Sequence, residues 1–345
     1  MKRARVFIVD DAPFIRKAMA RVLSADPEIE IVGEASNGME ALETISAARP
    51  DVVTLDVNMP GIDGLTTLRE LRKRYPQVAV VMLSSLTQDG ASTTLQALHD
   101  GAVDFIDKNE INVMDFHRLK REVLPKLKVW VSGKTPPSAP VEPSFPESRS
   151  VDWSHYELCV IGASTGGPPA IEALMRSIPA DFPAPIIIVQ HMPTGFTRHF
   201  AERLDGMSRL DIAEAYHGAR IDAGRVWVAP AGKHLRVDRY RVAHLSDEPS
   251  STPHRPSVDV TMYSAARTRP RGTVAGVLLT GMGEDGAQGM CSIRQYGGLT
   301  IGENETSCVV SGMPKAAYLR GGVELYLPLP EIVGLFATQP VATPA

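Results

Sequence analysis

Short apolar runs rich in β-branched residues alternate along this chain with stretches whose apolar positions recur every three to four residues. Residues 6–9, 29–35, 52–55, 78–83 and 103–106 read as strands, with amphipathic helices between them and a last helix near 115–131. Strands apolar at nearly every position are buried on both faces, so the alternation predicts a parallel sheet with helices on either side. From residue 132 to 150 the periodicity disappears, and Pro136, Pro137, Pro140, Pro143 and Pro146 alternate with serines. Such a stretch favours extended conformations and reads as a linker. Beyond it the pattern resumes, with buried strands at 158–161, 186–190 and 274–279 and helices near 169–177, 197–204 and 257–268. Residues 226–229, 234–237 and 241–245 read as a short antiparallel meander on the sheet edge. The predicted architecture is α/β: two doubly wound parallel-sheet domains at 1–131 and 153–338, a linker at 132–152 and a tail at 339–345.

A length of 345 residues agrees with two domains. With 43% hydrophobic and 22% charged residues the composition is that of a globular protein, not a disordered one. The net charge of −4 divides evenly: 17 basic and 19 acidic residues up to Val131 give −2, which leaves −2 for the remainder. Neither half is a basic platform, so nucleic acid is not an expected partner. The cysteines Cys159, Cys291 and Cys308 are odd in number and widely spaced, which argues against a disulfide framework or a zinc site. No apolar run approaches the roughly 18 residues that span a bilayer, and Met1-Lys2-Arg3 leads into residues 6–9 and then two aspartates. The expectation is a cytoplasmic protein without membrane insertion.

Candidate chemistry sits at predicted strand ends, where open α/β sheets bind ligands. In the first half these are Asp10 and Asp11, Asp56, Ser84 with Ser85, and Lys108. Acidic residues often do no more than cap helices at such positions. Three carboxylates on one rim, however, repel one another unless a cation joins them, and an all-oxygen set suits Mg²⁺. A carboxylate beside Mg²⁺ is a nucleophile toward phosphoryl groups, with Lys108 offsetting oxygen charge and the Ser84 hydroxyl placed to sense the product.

The set Val9-Asp10-Asp11, Leu55-Asp56-Val57-Asn58-Met59-Pro60-Gly61, the hydroxyls and Phe105-Ile106-Asp107-Lys108 resembles the response-regulator receiver family across residues 2 to about 128. The resemblance implies a flavodoxin-like fold, Asp56 as phospho-acceptor, and Mg²⁺ held by Asp10, Asp11, Asp56 and the Asn58 carbonyl. It also implies Phe105 as an aromatic that changes rotamer on signalling, and a histidine kinase as phosphodonor. One departure stands out. The family usually has a cis proline after the lysine, whereas Lys108 is followed by Asn109, for which a cis bond costs roughly 3 kcal/mol. The loop there is expected to be trans and differently shaped.

In the second half, Gly162-Ala163-Ser164-Thr165-Gly166-Gly167-Pro168 follows a strand and fits G-x-S-x-G. The glycines permit a sharp turn that exposes Ser164 and aims amides of the next helix at a negative oxygen, although such a turn equally cradles a phosphate. The next strand ends in His191, and the strand at 274–279 ends in Thr280-Gly281-Met282-Gly283-Glu284-Asp285-Gly286. A serine needs a base and an imidazole needs an orienting acid, and Ser164, His191 and Asp285 supply those roles, with Glu284 competing for the third. The order Ser, His, Asp is not that of the α/β-hydrolases.

These segments, together with Gln190-His191-Met192-Pro193, Ala229-Pro230-Ala231-Gly232, His254-Arg255-Pro256-Ser257-Val258-Asp259 and Gly312-Met313-Pro314, resemble the chemotaxis protein-glutamate methylesterase family across about 155–335. Its implications are a Rossmann-like catalytic domain without cofactor and hydrolysis of glutamate methyl esters on methyl-accepting chemotaxis receptors. Deamidation of receptor glutamines often accompanies it. Ser164 carries over as nucleophile, His191 as base and Asp285 as orienting acid, with Thr165 and Met282 near the oxyanion. His254 and Arg255, expected to open a helix, have no triad role. The competing reading is a non-enzymatic signalling module whose second domain binds an effector or nucleotide at the 162–167 turn.

Overall fold

The computed structural model describes residues 3–85, 88–111, 116–130 and 150–337. The expected linker lies outside them except for its last three residues, as does the tail. The chain divides into two compact units.

In the first unit, strands β1 (Ala4–Val9), β2 (Ile29–Ala35), β3 (Val52–Asp56), β4 (Ala79–Ser84) and β5 (Asp104–Asp107) alternate with helices α1 (Pro13–Ser24), α2 (Gly38–Ala48), α3 (Gly64–Arg74), α4 (Gln88–His99) and α5 (Phe116–Lys128). The strands form one parallel sheet in the order β2-β1-β3-β4-β5. β3 and β4 are buried at every position, Thr54, Asp56 and Ser84 included, as their mainly apolar runs predict. Helix starts are specified locally: Asn37 accepts from the Glu40 N–H to open α2, and Asp63 accepts from the Thr66 N–H at 2.7 Å to open α3. Gly64 is dictated by proximity, since a Cβ there would lie 2.0 Å from the Asp56 carbonyl oxygen.

The second unit runs β6 (Leu158–Ala163), α6 (Gly167–Ser177), β7 (Ile186–Gln190), α7 (Phe196–Asp205), β8 (Asp211–Glu214), β9 (Arg225–Val228), β10 (His234–Val237) and β11 (Ala243–Ser246). It continues with α8 (Val258–Thr268), β12 (Val274–Leu278), α9 (Ala287–Gln295), β13 (Leu299–Glu303), α10 (Gly312–Leu319), β14 (Leu325–Leu327) and α11 (Leu329–Ala337). Seven strands make a parallel sheet in the order β14-β13-β12-β6-β7-β9-β8. The chain leaves β6 toward β7 on one side and returns to β12 on the other. Strand order therefore reverses beside β6, the place where such sheets open a crevice.

The antiparallel element is smaller than the expected meander. β10 and β11 pair only with each other, while β9 sits inside the parallel sheet between β7 and β8. A four-residue run carries no sign of its partner, and closeness in sequence suggested the wrong one. Three strands escaped the apolar pattern altogether. β8 buries one of its four residues, β14 has three residues, and Thr300 and Glu303 interrupt the apolar run of β13 while being buried themselves.

Ile187 is fully buried in β7, registered with Val160 on one side and Trp227 on the other. Ile187→Ala is expected to weaken this unit by roughly 2–5 kcal/mol. Urea titration should show a lower midpoint for its transition with the slope unchanged.

Candidate active site

At the carboxyl edge of the first sheet, carboxylate oxygens of Asp10, Asp11 and Asp56 all lie within 4.8 Å of one another. Lys108 Nζ bridges two of them, 2.9 Å from Asp10 Oδ2 and 2.8 Å from Asp56 Oδ2. Burial drives the Asp56 carboxyl upward, Lys108 pulls it back and Asp10 adds repulsion, which leaves it at about 6. Burial works against the Lys108 ammonium, but Asp56 and Asp10 outweigh it and hold its pKa above the ordinary lysine range. The Asn58 N–H donates to Asp56 Oδ1 at 3.2 Å, which fixes the turn after β3. An oxygen-only cluster with crowded negative charge fits a small divalent cation.

Ser84 ends β4 buried, and its hydroxyl accepts from Thr94 Oγ1 at 2.6 Å. Phe105 is packed inward beneath Lys126, whose Nζ lies 5.3 Å from the ring centre. The Lys108–Asn109 peptide is trans, and Lys108–Glu110 form a 3₁₀ turn capped by Asp107 Oδ1 on the Asn109 N–H at 2.8 Å. An asparagine in place of proline thus supplies an N–H that the turn uses.

In the second unit β6, β7 and β12 are adjacent and parallel, so Ser164, His191 and the 280–286 turn emerge on one edge. The Ser164 N–H donates to the Thr280 carbonyl at 3.0 Å, and the His191 N–H to the Ala163 carbonyl at 3.1 Å. Gln190 Nε2 donates to the carbonyls of both Ser164 and His191 at 3.0 Å, linking the two functional backbones. His191 Nε2 lies 2.8 Å from Asp285 Oδ2. With its proton held on Nε2 by that carboxylate, the neutral ring keeps its lone pair on Nδ1, which is buried and has no hydrogen-bond partner.

Glu284 and Asp285, equivalent by sequence, diverge completely. Glu284 is exposed and pairs with Arg320, whereas Asp285 turns inward. Asp285 Oδ1 accepts from Ser257 Oγ at 2.8 Å and the Asp259 N–H at 3.0 Å, and Oδ2 from the Val258 N–H at 2.8 Å. The carboxylate therefore caps the N-terminus of α8, where unpaired amides favour negative charge. Burial would raise its pKa, but the bond from His191 and these amides prevail and hold it at about 2. The capping is reciprocal, because Asp259 Oδ1 accepts from the Gly289 N–H at 2.6 Å in the first turn of α9, directly after Asp285.

Ser257, Asp259 and Gln190 thus belong to the site without having been singled out by sequence. They lay within quoted motifs, and only the fold shows which loop each motif meets. His254 and Arg255 precede α8 instead of opening it. The His254 ring stacks on His191 with centroids 4.2 Å apart and planes at 20°. Desolvation there, followed by the charge of His191, lowers the His254 pKa to about 4, so it lies neutral over the histidine face.

The first turn of α6 does not present the amides expected of it. Gly166 adopts φ +77° and opens α6, but the Gly167 N–H bonds the Ser164 carbonyl at 2.8 Å, and Pro168 and Pro169 have no N–H. The start of α6 consequently offers little to an anion. In the facing turn the Thr280 and Gly281 amides are engaged with Glu303 and Val310, and the Met282 amide has no partner among the described residues. Thr165 is buried, and its carbonyl accepts from Thr280 Oγ1 at 2.9 Å.

The description "response regulator receiver domain" matches residues 6–118, and "CheB methylesterase" matches residues 159–336. Together with the two sites these define a response regulator whose output unit is a hydrolase. A protein-glutamate methylesterase/protein-glutamine glutaminase of Carboxydothermus hydrogenoformans is 45% identical over 96% of this chain and 98% of its own length. A protein of the same name from Pyrococcus horikoshii is 41% identical over 96% of this chain and 92% of its own. The crystal structure of the Thermotoga maritima CheB methylesterase catalytic domain superposes with a TM-score of 0.50 at 38% identity, covering 53% of this chain and 97% of that one. The chain belongs to the protein-glutamate methylesterase/protein-glutamine glutaminase family.

Asp285→Asn should leave His191 without an anionic partner and lower kcat for ester hydrolysis by roughly 10⁴-fold. Ser257→Ala removes one of the donors to Asp285 and should lower kcat by roughly tenfold. Steady-state kinetics on the two purified variants checks both.

Proposed function

We propose that this chain is a phosphorylation-regulated serine esterase that hydrolyses glutamate methyl esters on methyl-accepting chemotaxis receptors and also deamidates receptor glutamines. The observation that carries the reading is the buried His191–Asp285 pair, with Nδ1 left as the unpaired base beside the serine-bearing turn. Ser164 Oγ attacks the ester carbonyl while His191 Nδ1 takes its proton. The Met282 amide holds the oxyanion, with Thr165 lining the same cleft. On collapse the proton passes from His191 to the departing methoxide and methanol leaves. Water then attacks the acyl-serine with His191 again as base, which releases glutamate and restores Ser164. With a glutamine side chain the same steps release ammonia.

Regulation is assigned to the acidic cluster of the first unit. Asp56 is the phospho-acceptor and a histidine kinase the donor. Asp10, Asp11, Asp56 and the Asn58 carbonyl would hold Mg²⁺. When bound, the ion offsets charge on the phosphoryl oxygens. Lys108, already paired with Asp56, contributes a fixed positive charge at the same place. Ser84 and Phe105 relay the change, Ser84 by exchanging its bond from Thr94 for one to the phosphoryl group. The reading is of a cytoplasmic enzyme. Among the described residues no helix is long and apolar enough to cross a membrane. A nucleotide-binding second unit is disfavoured because Pro168 and Pro169 remove helix N–H groups that a phosphate would use.

Methanol release from methylated receptor membranes tests the assignment. Ser164→Ala should fall to background, a loss of roughly 10⁴-fold or more. A small-molecule phosphodonor with Mg²⁺ should raise the wild-type rate and leave Asp56→Ala at its basal rate. Full activity in Ser164→Ala would refute the serine mechanism, and an equal response in Asp56→Ala would refute the assigned phospho-acceptor.

A further inference from the structure

Glu303 is a buried acid that the mechanism above does not use. It ends β13, next to β12 in the sheet, and is 1% exposed. Its Oε2 accepts from the Thr280 N–H at 2.8 Å and its Oε1 from the Ser307 hydroxyl at 2.8 Å. Among the described residues no cation pairs with it. Burial pushes its carboxyl up to about 7 against the pull of those hydrogen bonds. A buried acid of this kind is unfavourable for folding alone, which makes its location informative.

That location is one residue behind the catalytic turn. Thr280, held by Glu303, contacts the nucleophile segment twice: its carbonyl accepts from the Ser164 N–H at 3.0 Å, and its hydroxyl donates to the Thr165 carbonyl at 2.9 Å. The Thr280 hydroxyl also accepts from the Val310 N–H at 2.9 Å, and the Gly281 N–H bonds the Val310 carbonyl at 2.8 Å. With the amides of 280 and 281 both engaged, Met282 is the first residue of the turn whose N–H has no partner among the described residues. Gly281 leaves little slack, because a Cβ there would lie 3.0 Å from Ser164 Cβ. The far side of the clamp is anchored too, since Ser307 Oγ accepts from the Leu329 N–H at 2.8 Å.

We propose that Glu303 is a positioning residue for hydrolysis: by clamping the Thr280 amide it sets the backbone register of Ser164 and Thr165 against the Met282 turn. The proposal rests on the reading of Ser164 as nucleophile. Glutamine at 303 retains an oxygen for the Thr280 N–H and a donor for Ser307 Oγ, whereas alanine retains neither.

The test uses the full-length protein with Glu303→Ala, Glu303→Gln and, as a stability control, Phe336→Leu, which trims an aromatic packed on Trp153 away from the triad. Glu303→Ala should lose roughly ten- to hundredfold in kcat with KM within about twofold. Glu303→Gln should recover kcat to within about threefold, and Phe336→Leu should keep wild-type kcat below its melting transition. Hydrogen–deuterium exchange read by mass spectrometry should be faster in Glu303→Ala at 162–167 and 279–283 and unchanged at 186–190. Wild-type kcat in a folded Glu303→Ala, or unaltered exchange in both segments, overturns the proposal. So does an equal loss in Glu303→Gln and Glu303→Ala. A wild-type protein that releases no methanol would instead refute the esterase reading, and exchange would still decide the role of Glu303. Should Glu303→Ala not fold, Glu303→Met fills the space without an acceptor and carries the same expectations.

Discussion

The carboxylate of Asp285 is where the catalytic unit converges. It takes a bond from His191, one from the Ser257 hydroxyl and two from the amides that open α8. Those amides would otherwise be unsatisfied, and the imidazole would otherwise rotate, so one anion resolves two problems. Asp259 then closes the circuit by capping α9, the helix that begins two residues after Asp285. Helices α8 and α9 are consequently fixed to each other through the residue that orients the base. A change at either helix start is a change at His191.

Both units use the same topological fact in different chemical directions. Parallel strands deliver side chains from distant parts of the chain to one edge, where helix starts and turns supply unpaired donors. In the first unit that edge gathers three carboxylates around a lysine. In the second it gathers a hydroxyl, an imidazole and a single carboxylate, with tight turns from β6 and β12 pressed together at Ser164 and Gly281. The reversal of strand order at β6 makes the second arrangement possible, because its two neighbours, β7 and β12, start 88 residues apart, at Ile186 and Val274.

The legibility of these features in the sequence follows from how local their causes are. Strands buried on both faces, such as β4 and β7, are visible as apolar runs of five and four residues. β8 and β14 were not, being short and half exposed. Ser164 and His191 stand out as candidates because each directly follows a strand, and Asp285 because it lies in the glycine-rich turn after β12. The choice between Glu284 and Asp285 could not be made from pattern alone, since both lie in one turn and differ only in which way the backbone faces. Ser257, Asp259, Gln190 and Glu303 were missed as functional because their partners are 26 to 30, one or 26, and 23 residues away, and nothing in periodicity predicts such pairings. β9 shows the opposite error: its nearness in sequence suggests pairing with β10, whereas it lies in the parallel sheet between β7 and β8.

Four acids drawn away from water, Asp285, Asp56, Asp259 and Glu303, form a series that exposes the underlying rule. Asp285, with an imidazole, a hydroxyl and two amides directed at it, is held at about 2 despite burial. Asp56 has the Lys108 ammonium, but Asp10 beside it repels, and it settles at about 6. Asp259 is served only by helix amides and lies near Asp285, and it too settles at about 6. Glu303, as deeply buried as Asp56, has a hydroxyl and one amide as its closest donors and no cation among the described residues, and reaches about 7. Burial pushes every one of them upward, so the number and charge of the donors decides which remain anions at neutral pH. Asp285 is thereby suited to stabilise an imidazolium, which demands a permanent negative charge. Asp56 lies where an added cation would favour its charged form, which suits the ligand and nucleophile roles proposed for it.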